Sequence, residues 1–394
     1  MVSGNQKIVR IVNRARILNL IREHQPVSRV RLAAFSGLNK STVSSIVSDL
    51  LIEKLIQETV KDASTGGRKP ILLSLDGREH KIGAIDFDPE NSYVAVGDME
   101  AHIIKKKIIK TKYRDPSDFI KRCLRMLFEI KDELKCSNLK SIGISIPGIV
   151  DTNKSEVLIA PDLEWKNLDI GQLVQEVAPD GTFGKVIIEN EANASALAEQ
   201  WFGNHVTQKS NIVFVSEGIG TGIILNNKLV QGSFDAAGQF GHMTINPDGE
   251  LCICGNRGCW ETYTSNSSTV QRYCGQNFNG RTNTELKKII QLARNGDSSA
   301  LHAIRETGRY LGIGISNIMK AIDPEVVVLG GLITGAWNII YPEISREIEK
   351  RVFFGIEMKR NIDIIPTSLP ERSSLIGAIT LVIREIFGGY RIAQ

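Results

Sequence analysis

The stretch between residues 238 and 261 constrains the fold more than any other part of this 394-residue chain. It contains four side chains suited to metal binding, which are His242, Cys252, Cys254 and Cys259. One imidazole and three thiols are the donors that Zn²⁺ prefers in a closed tetrahedral site. Two glycines, Gly255 and Gly258, allow tight backbone turns between the sulfurs. The alternative is three buried cysteines beside an unrelated histidine. We predict a structural zinc centre that holds a loop and does no chemistry itself.

The composition is that of an ordinary globular protein, with 42% hydrophobic and 23% charged residues. A chain of this length is expected to form two or three domains. No apolar run is long enough for a membrane span, and the first residues do not form a secretory signal. Three of the six cysteines lie in the metal stretch, and the others are scattered. A disulfide framework is therefore not expected, and we predict a cytoplasmic protein.

Positive charge is concentrated at the N-terminal end of the chain. The first 80 residues hold 13 Lys and Arg against 7 Asp and Glu, whereas the whole chain has a net charge of only +4. A basic end joined to a near-neutral body is typical of a module that binds a polyanion such as DNA. A merely solvated basic surface is the alternative.

Apolar residues recur at helical spacing over residues 5–24, and Pro26 ends that pattern. Ser28 suits the N-cap of a short second helix, and Gly37 provides a turn before a third helix. Two short helices joined by such a turn indicate a helix-turn-helix, whose second helix enters the major groove of DNA. The side chains then placed toward DNA are Asn39, Lys40, Ser41, Thr42, Ser44 and Ser45. A three-helix interaction domain is the alternative.

Two predicted strands, residues 55–58 and 71–75, follow the third helix. Between them lies a glycine-flanked basic tip with Arg68 and Lys69, which has the shape of a wing. Such a tip can reach the phosphate backbone or a narrow minor groove. We therefore predict a winged helix-turn-helix DNA-binding domain over residues 1–78.

The remaining chain twice shows an α/β pattern. Three alternating strands, a helix and an apolar strand occupy residues 80–146, and a second round begins near residue 211. This order is the opening of the actin-like ATPase and sugar kinase (ribonuclease H-like) fold. We predict a first lobe at 79–200 and a second lobe at 201–394, with a cleft between them. The second lobe would carry the zinc loop and dimerisation helices, and Asn190 would cap a helix in the first.

Several of these stretches resemble the ROK family, which contains sugar kinases and sugar-responsive repressors. The order G-H, nine residues, C-x-C-G-x-x-G-C-x-E is the most specific match, and an N-terminal winged helix resembles the repressors of the family. Within these, IENEANASALAE and CGNRGCWE are most similar to the xylose repressor branch. The other matching stretches are residues 146–148, 189–193, 218–222 and 329–331.

The resemblance implies a monosaccharide in the cleft, most of all xylose, with glucose, N-acetylglucosamine or a β-glucoside left open. It implies that the zinc histidine also touches the sugar. The implied sugar-binding residues are Asn190, Glu191, Gln239, His242 and Glu261. Carboxylates and amides suit this task because they accept and donate hydrogen bonds to hydroxyl groups.

Three departures from the family pattern argue against kinase activity. The kinases carry an acidic-Gly-Gly-Thr phosphate loop where residues 86–90 read DFDPE. They place an aspartate where Glu191 stands, and glutamate is usual where Gln239 stands. We therefore expect no bound ATP and no enzymatic activity. A sugar kinase with an accessory DNA-binding arm is the alternative, since the glycine-rich loop at 218–222 still suits a phosphate.

The resulting hypothesis is a repressor that a monosaccharide releases from operator DNA. Two winged domains, held by a homodimer or a dimer of dimers, would grip a palindromic operator. Sugar bound between the lobes would change their closure angle and so the spacing of the recognition helices. The sequence leaves open whether the sugar acts as inducer or corepressor.

Overall fold

The computed structural model of the chain begins with a helical domain and continues into two α/β lobes. The residues it describes are 2–59, 71–77, 80–112, 114–136, 139–178, 183–204, 206–276, 278–351 and 362–388. The predicted wing tip, with Arg68 and Lys69, lies outside the described residues.

The N-terminal domain packs three helices against a small antiparallel sheet with the order β1-β3-β2. Its elements are α1 (Val2–His24), β1 (Val27–Ser28), α2 (Arg29–Ser36), α3 (Lys40–Ile52), β2 (Ile56–Thr59) and β3 (Leu72–Leu75). Ser28 caps α2, because its hydroxyl accepts a hydrogen bond from the backbone of Arg31. Gly37, with φ +66°, makes the left-handed turn between α2 and α3. Helix, turn, helix and paired strands therefore form as predicted.

The first lobe is built on a five-stranded mixed sheet with the order β11-β7-β4-β5-β6. Strands β4, β7 and β11 run parallel, and β5 and β6 return antiparallel at one edge. Their bounds are β4 (Lys81–Asp86), β5 (Asn91–Gly97), β6 (Ile103–Lys110), β7 (Leu139–Ile146) and β11 (Lys185–Asn190). The amphipathic helix α4 (Pro116–Glu133) covers the sheet with a buried face of Phe119, Cys123, Leu127 and Ile130.

A second, smaller sheet inserted in this lobe has the order β10-β9-β8. Its bounds are β8 (Ile149–Asp151), β9 (Glu156–Ala160) and β10 (Trp165–Asp169), and α5 (Ile170–Val177) follows. Helix α6 (Glu191–Phe202) begins directly after β11 and is buried along most of its length. Small residues on α6, such as Ala194 and Ala196, let it pack closely between neighbouring elements.

The second lobe repeats the plan with the sheet order β14-β13-β12-β15-β16. Its strands are β12 (Ile212–Val215), β13 (Thr221–Leu225), β14 (Lys228–Leu229), β15 (Val326–Leu329) and β16 (Asp363–Pro366). Its helices are α7 (Glu261–Thr264), α8 (Asn266–Cys274), α9 (Thr282–Arg294), α10 (Ser298–Ile322) and α11 (Trp337–Arg351). Central strands β12 and β15 are apolar and fully buried, as expected where helices cover both faces of a sheet. The predicted two-lobed α/β fold is confirmed.

The last helix, α12 (Ser373–Ile386), crosses back to the first lobe. It packs along α6 and against β4, β7 and β11. Gly143 on β7 allows this approach, because a side chain there would collide with the backbone of Ala378. The boundary between the lobes at residue 200 stays a prediction. Helix α12 lies after that boundary in sequence, but it packs on the sheet of the first lobe.

The N-terminal domain shares a hydrophobic core with α12. Ile17, Leu18 and Ile21 of α1 belong to the same buried cluster as Ile379 and Ile383 of α12. A shared core fixes one element against another more firmly than a solvated linker does. Among the helices described, none is both long and apolar enough to cross a membrane.

Candidate metal and ligand site

The four side chains predicted to bind metal converge at one point of the second lobe. Their ligand atoms all lie within 4.8 Å of one another. Cys252 Sγ is 3.6 Å from His242 Nδ1, and Cys254 Sγ is 3.7 Å from Cys259 Sγ. Ligands at zinc distances of about 2.0–2.3 Å stand roughly 3.3–3.8 Å apart in a tetrahedron, so the spacing fits. This group can hold a metal ion.

The loop between the ligands is shaped by glycines and closed by backbone contacts. Gly258 has φ +64°, and a side chain there would collide with the backbone oxygen of Asn246. Gly255, with φ +87°, makes the turn after Cys254. Beneath the loop, Trp260 is fully buried and its indole donates a 2.8 Å hydrogen bond to the backbone oxygen of Tyr310. The local sequence therefore fixes both the curvature of the loop and its anchor.

Glu261 lies beside the metal-binding group, at the start of α7. Its Oε2 is 3.4 Å from His242 Nδ1. Because Nδ1 also faces the sulfur of Cys252, the Nε2 atom of His242 is left for a partner outside the cluster. Burial, together with the negative charges of Asp162 and Glu191, raises the pKa of Glu261 to about 7.

Glu191 faces this group from the first lobe, at the first turn of α6. Its Oε1 accepts a 2.8 Å hydrogen bond from the hydroxyl of Ser216, which lies after β12 in the second lobe. Burial raises the pKa of Glu191 to about 7, while the Ser216 hydrogen bond acts in the opposite direction. A carboxyl group that bridges two lobes can respond to a ligand placed between them.

Asn190 is the N-cap of α6, as predicted. Its side-chain oxygen accepts hydrogen bonds from the backbone of Ala192 at 2.9 Å and of Asn193 at 3.2 Å. Its amide group donates to the backbone oxygen of Gly148 at 2.9 Å. These bonds occupy most of the side chain, so a sugar contact at this residue stays a prediction.

Gln239 is exposed and directly precedes the short turn of helix that carries His242. Its backbone oxygen accepts a hydrogen bond from His242 at 3.1 Å. The loop that contains Gln239 is tied to the first lobe through Gln231, whose amide donates to Glu189 at 2.8 Å. The position suits a contact at the mouth of the cleft, and that contact also stays a prediction.

Asp162 was missed by the sequence reading. It follows β9 in the first lobe, and its side chain is exposed. Partial desolvation raises the pKa of Asp162, whereas the nearby His242 lowers it. Its negative charge also raises the pKa values of Glu191 and Glu261, so the three carboxyl groups lie near one another. No local sequence signal marks Asp162, because its neighbours in space come from distant parts of the chain.

Arg372 was also missed, and it changes the interpretation of the DFDPE turn. Its Nε donates to Asp86 Oδ2 and its Nη2 donates to Asp88 Oδ2, each at 3.0 Å. Ser374 donates a 2.8 Å hydrogen bond to the same oxygen of Asp86. The two carboxylates are thus directed at a guanidinium group rather than left open. A basic residue 284 positions after Asp88 gives no signal in the linear sequence.

The polar face of α3 is presented to solvent. Val43, Ile46 and Val47 are buried, which turns the opposite side of the helix outward. Asn39 is the N-cap, and its side-chain oxygen accepts from the backbone of Thr42 at 2.7 Å. Thr42 is half-buried, and the exposed side chains predicted to meet DNA are Asn39, Lys40, Ser41, Ser44 and Ser45. Ser48 extends this exposed face by one turn.

These features define a class of protein: a helix-turn-helix domain fixed to a two-lobed body of the sugar kinase fold. Solved structures share the architecture. A ROK family transcriptional regulator described as a homolog of the E. coli MLC protein matches with TM-score 0.81 and 25% identity, over 97% of each chain. A ROK family glucokinase from Streptomyces griseus, solved with glucose and AMPPNP, matches with TM-score 0.66 and 26% identity. It covers 76% of this chain and 98% of its own.

Sequence comparison gives the family. The ROK family profile matches residues 82–385. The xylose repressor of Bacillus spizizenii is 32% identical over 387 residues, which cover 96% of this chain and 97% of that protein. The transcriptional dual regulator NagC of Escherichia coli K12 is 28% identical over 98% of this chain and 96% of its own length. The chain therefore belongs to the ROK family.

Proposed function

We propose that this protein is a sugar-responsive transcriptional repressor whose effector is D-xylose. The chain binds operator DNA through α3 and binds the sugar between its two lobes. The observation that carries this proposal is the exposed polar face of α3 on a domain whose core continues into α12. The similarity to xylose repressors along nearly the whole chain supports the choice of sugar.

The sugar would lie between Glu191 and Asp162 of the first lobe and His242 and Glu261 of the second. Carboxyl groups arranged around one space suit the several hydroxyl groups of a monosaccharide, because each carboxylate accepts more than one hydrogen bond. Asn190 and Gln239 would contribute amide groups at the edge of the site. Binding across two lobes would change their angle, which is the kind of domain closure that ligands produce in clefts.

Zinc is the metal that best suits one histidine and three cysteines. His242, Cys252, Cys254 and Cys259 would hold it, and their spacing supports tetrahedral coordination. The role of the ion would be structural, because four protein ligands leave no open position for substrate. It would fix the direction of the His242 ring and, through the loop, the position of Glu261.

Operator binding would require two N-terminal domains at a fixed spacing. Because such repressors bind palindromic sites as symmetric dimers, we propose a homodimer or a dimer of dimers. The predicted wing residues Arg68 and Lys69 would add phosphate or minor-groove contacts to those of α3. The sugar would act as inducer, which weakens the hold on DNA.

The decisive experiment measures DNA binding with and without sugar. An operator would first be selected from a random-sequence DNA library and its affinity measured by fluorescence anisotropy at fixed salt. We expect D-xylose to weaken binding about tenfold or more, within the usual range of coupling between two sites. D-glucose and N-acetylglucosamine serve as comparison sugars. An affinity that none of the three sugars changes would contradict a sugar-responsive repressor.

Glu191 favours a second candidate, a sugar kinase with a DNA-binding arm. Its pKa of about 7 lies near the operating range of a general base. The Gly218–Gly222 turn also keeps its glycines at the end of β12. A coupled assay of ADP release with D-xylose and D-glucose tests this candidate. Turnover by the wild type that is lost in Glu191→Gln would establish a kinase. We expect no turnover by the wild type or by the variant.

A further inference from the structure

Arg372 is fixed to the first lobe by three partners. Its guanidinium group forms 3.0 Å hydrogen bonds with Asp86, the last residue of β4, and with Asp88, two positions later. The same group lies over the ring of Tyr93, at 4.9 Å from its centroid. A planar guanidinium group suits such combined pairing and stacking better than an ammonium group. Arg372 therefore belongs structurally to the first lobe.

Among the described residues of the second lobe, the same side chain approaches the carboxylate of Glu217. Its Nη1 atom is 3.6 Å from Glu217 Oε2. Glu217 follows β12 and is held in its own lobe, because its Oε1 accepts a 2.7 Å hydrogen bond from the backbone of Leu332. A distance of 3.6 Å exceeds that of a charge-assisted hydrogen bond, which is typically about 2.7–2.9 Å. A small closing movement of the lobes would bring the two groups into bonding distance.

The position of Arg372 links this contact to the DNA-binding domain. It directly precedes α12, and fourteen residues later the helix ends beside α1. There the backbone oxygen of Phe387 accepts a 3.2 Å hydrogen bond from Asn19, and Arg22 lies over the ring of Trp201 at 4.0 Å. A helix of this length spans about 21 Å. One rigid element thus extends from the interlobe contact to the helical domain.

We propose that Arg372 is an interlobe positioning residue that completes its hydrogen bond to Glu217 only when the cleft closes around the sugar. The proposal rests on the proposed function, since it names how the sugar-bound arrangement is held. A contact made in one state and not in the other shifts the balance toward the state that makes it. The Arg372–Glu217 bond therefore strengthens sugar binding and leaves sugar-free DNA binding unchanged.

The test compares Glu217→Gln with the wild type in the full chain. The amide keeps an oxygen for the Leu332 backbone but removes the charge that faces Arg372. We expect the dissociation constant for D-xylose, measured by calorimetry, to rise about tenfold, as for a lost hydrogen bond between charged groups. Operator affinity and melting temperature without sugar should match the wild type, which a merely structural role would not allow. Arg372→Lys should weaken D-xylose binding similarly, because an ammonium group lacks the fork geometry.

The matched control is Glu371→Gln, one position before Arg372. Glu371 pairs with Lys106 at 2.6 Å on the surface and is not part of the interlobe contact, so D-xylose affinity should stay within twofold of the wild type. If the wild type responds to D-xylose and Glu217→Gln binds it equally well, the interlobe role is wrong while the repressor stands. If the wild type binds none of D-xylose, D-glucose and N-acetylglucosamine, the proposed function fails, and this inference with it.

Discussion

Two regions of the molecule hold their clustered polar side chains by different means. The loop at 242–259 brings together one imidazole and three thiols, and the distances between them suit a metal ion. The turn at 86–90 gathers two carboxylates around the guanidinium group of Arg372, which comes from the far end of the chain. In both regions the polar groups need partners, because burying an unpaired polar or charged group costs free energy. A metal can be anchored by neighbours in sequence, whereas the ion pair joins distant segments.

The difference has a consequence for function. The His-Cys loop is local in sequence, and a metal ion bound to it would hold Glu261 and His242 in one orientation whatever the angle between the lobes. The Arg372 group depends on how the two lobes meet, because one of its three carboxylate partners is Glu217 of the second lobe. One region is thus suited to recognise a ligand and the other to report the angle between the lobes.

Removal of a metal ligand should produce the largest effect. In Cys254→Ser we expect zinc, measured by elemental analysis, to fall from about one per chain to near zero, because a structural zinc site needs all four ligands. The response to D-xylose should disappear as well. Cys274→Ser is the control, since Cys274 is an exposed thiol outside the cluster. Full zinc content in Cys254→Ser would remove Cys254 from the ligand set.

Glu261→Gln should weaken sugar binding without loss of the metal. The amide removes a charged acceptor, which typically costs about 1.5–3 kcal/mol, or roughly ten- to hundredfold in affinity. Calorimetry with D-xylose measures this, and elemental analysis confirms retained zinc. Glu250→Gln, at an exposed position of the same loop, should bind normally. Equal affinity in Glu261→Gln and Glu250→Gln would show that the His-Cys loop does not contact the sugar.

Glu199 offers a buried carboxyl group that no cation neutralises among the described residues. It lies on α6, and burial raises its pKa to about 7, although a hydrogen bond from Thr367 opposes the shift. Because the pKa of Glu199 is raised in the folded state, the contribution of this group to stability is greatest below about pH 4.5. That contribution is lost as the pH rises through 7. Glu199→Gln should therefore gain about 2 kcal/mol relative to wild type between pH 5 and pH 8.

Thermal unfolding at both pH values measures this difference. The control is Glu176→Gln, because Glu176 is paired with Lys121 and its pKa is lowered rather than raised. If the stability difference between the wild type and Glu199→Gln is the same at pH 5 and pH 8, the pKa of Glu199 is not raised in the folded state. Asp86 differs from Glu199, because burial raises its pKa but the guanidinium group of Arg372 lowers it.

Arg68→Ala should have the smallest effect, confined to DNA. Loss of one phosphate contact should reduce the slope of log affinity against log salt by about 1. Binding of D-xylose should not change, since neither of these two regions contains this residue. Lys166→Ala, an exposed lysine of the body, serves as control. A salt slope equal to that of the wild type would place the wing tip away from DNA.

The sequence predicted those features whose residues are close together along the chain. The metal cluster, the caps at Ser28 and Asn190 and the helix-turn-helix all depend on spacings of a few residues, which local geometry converts directly into structure. The two lobes followed from repeated strand and helix patterns. Asp162 and Arg372 could not be found in this way, because each acquires its role from side chains that belong to other elements and are distant along the chain.

By itself the sequence determined that a winged helix, two α/β lobes and a His-Cys cluster occur in this order. Only the tertiary structure decided that the last helix returns to the first sheet, so that Arg372 meets Asp86 and Phe387 meets α1. The physical reason is that short-range patterns fix local backbone geometry, whereas contacts between distant segments depend on how whole elements pack. A lone arginine has no pattern, and it becomes informative once packing places three carboxylates around it.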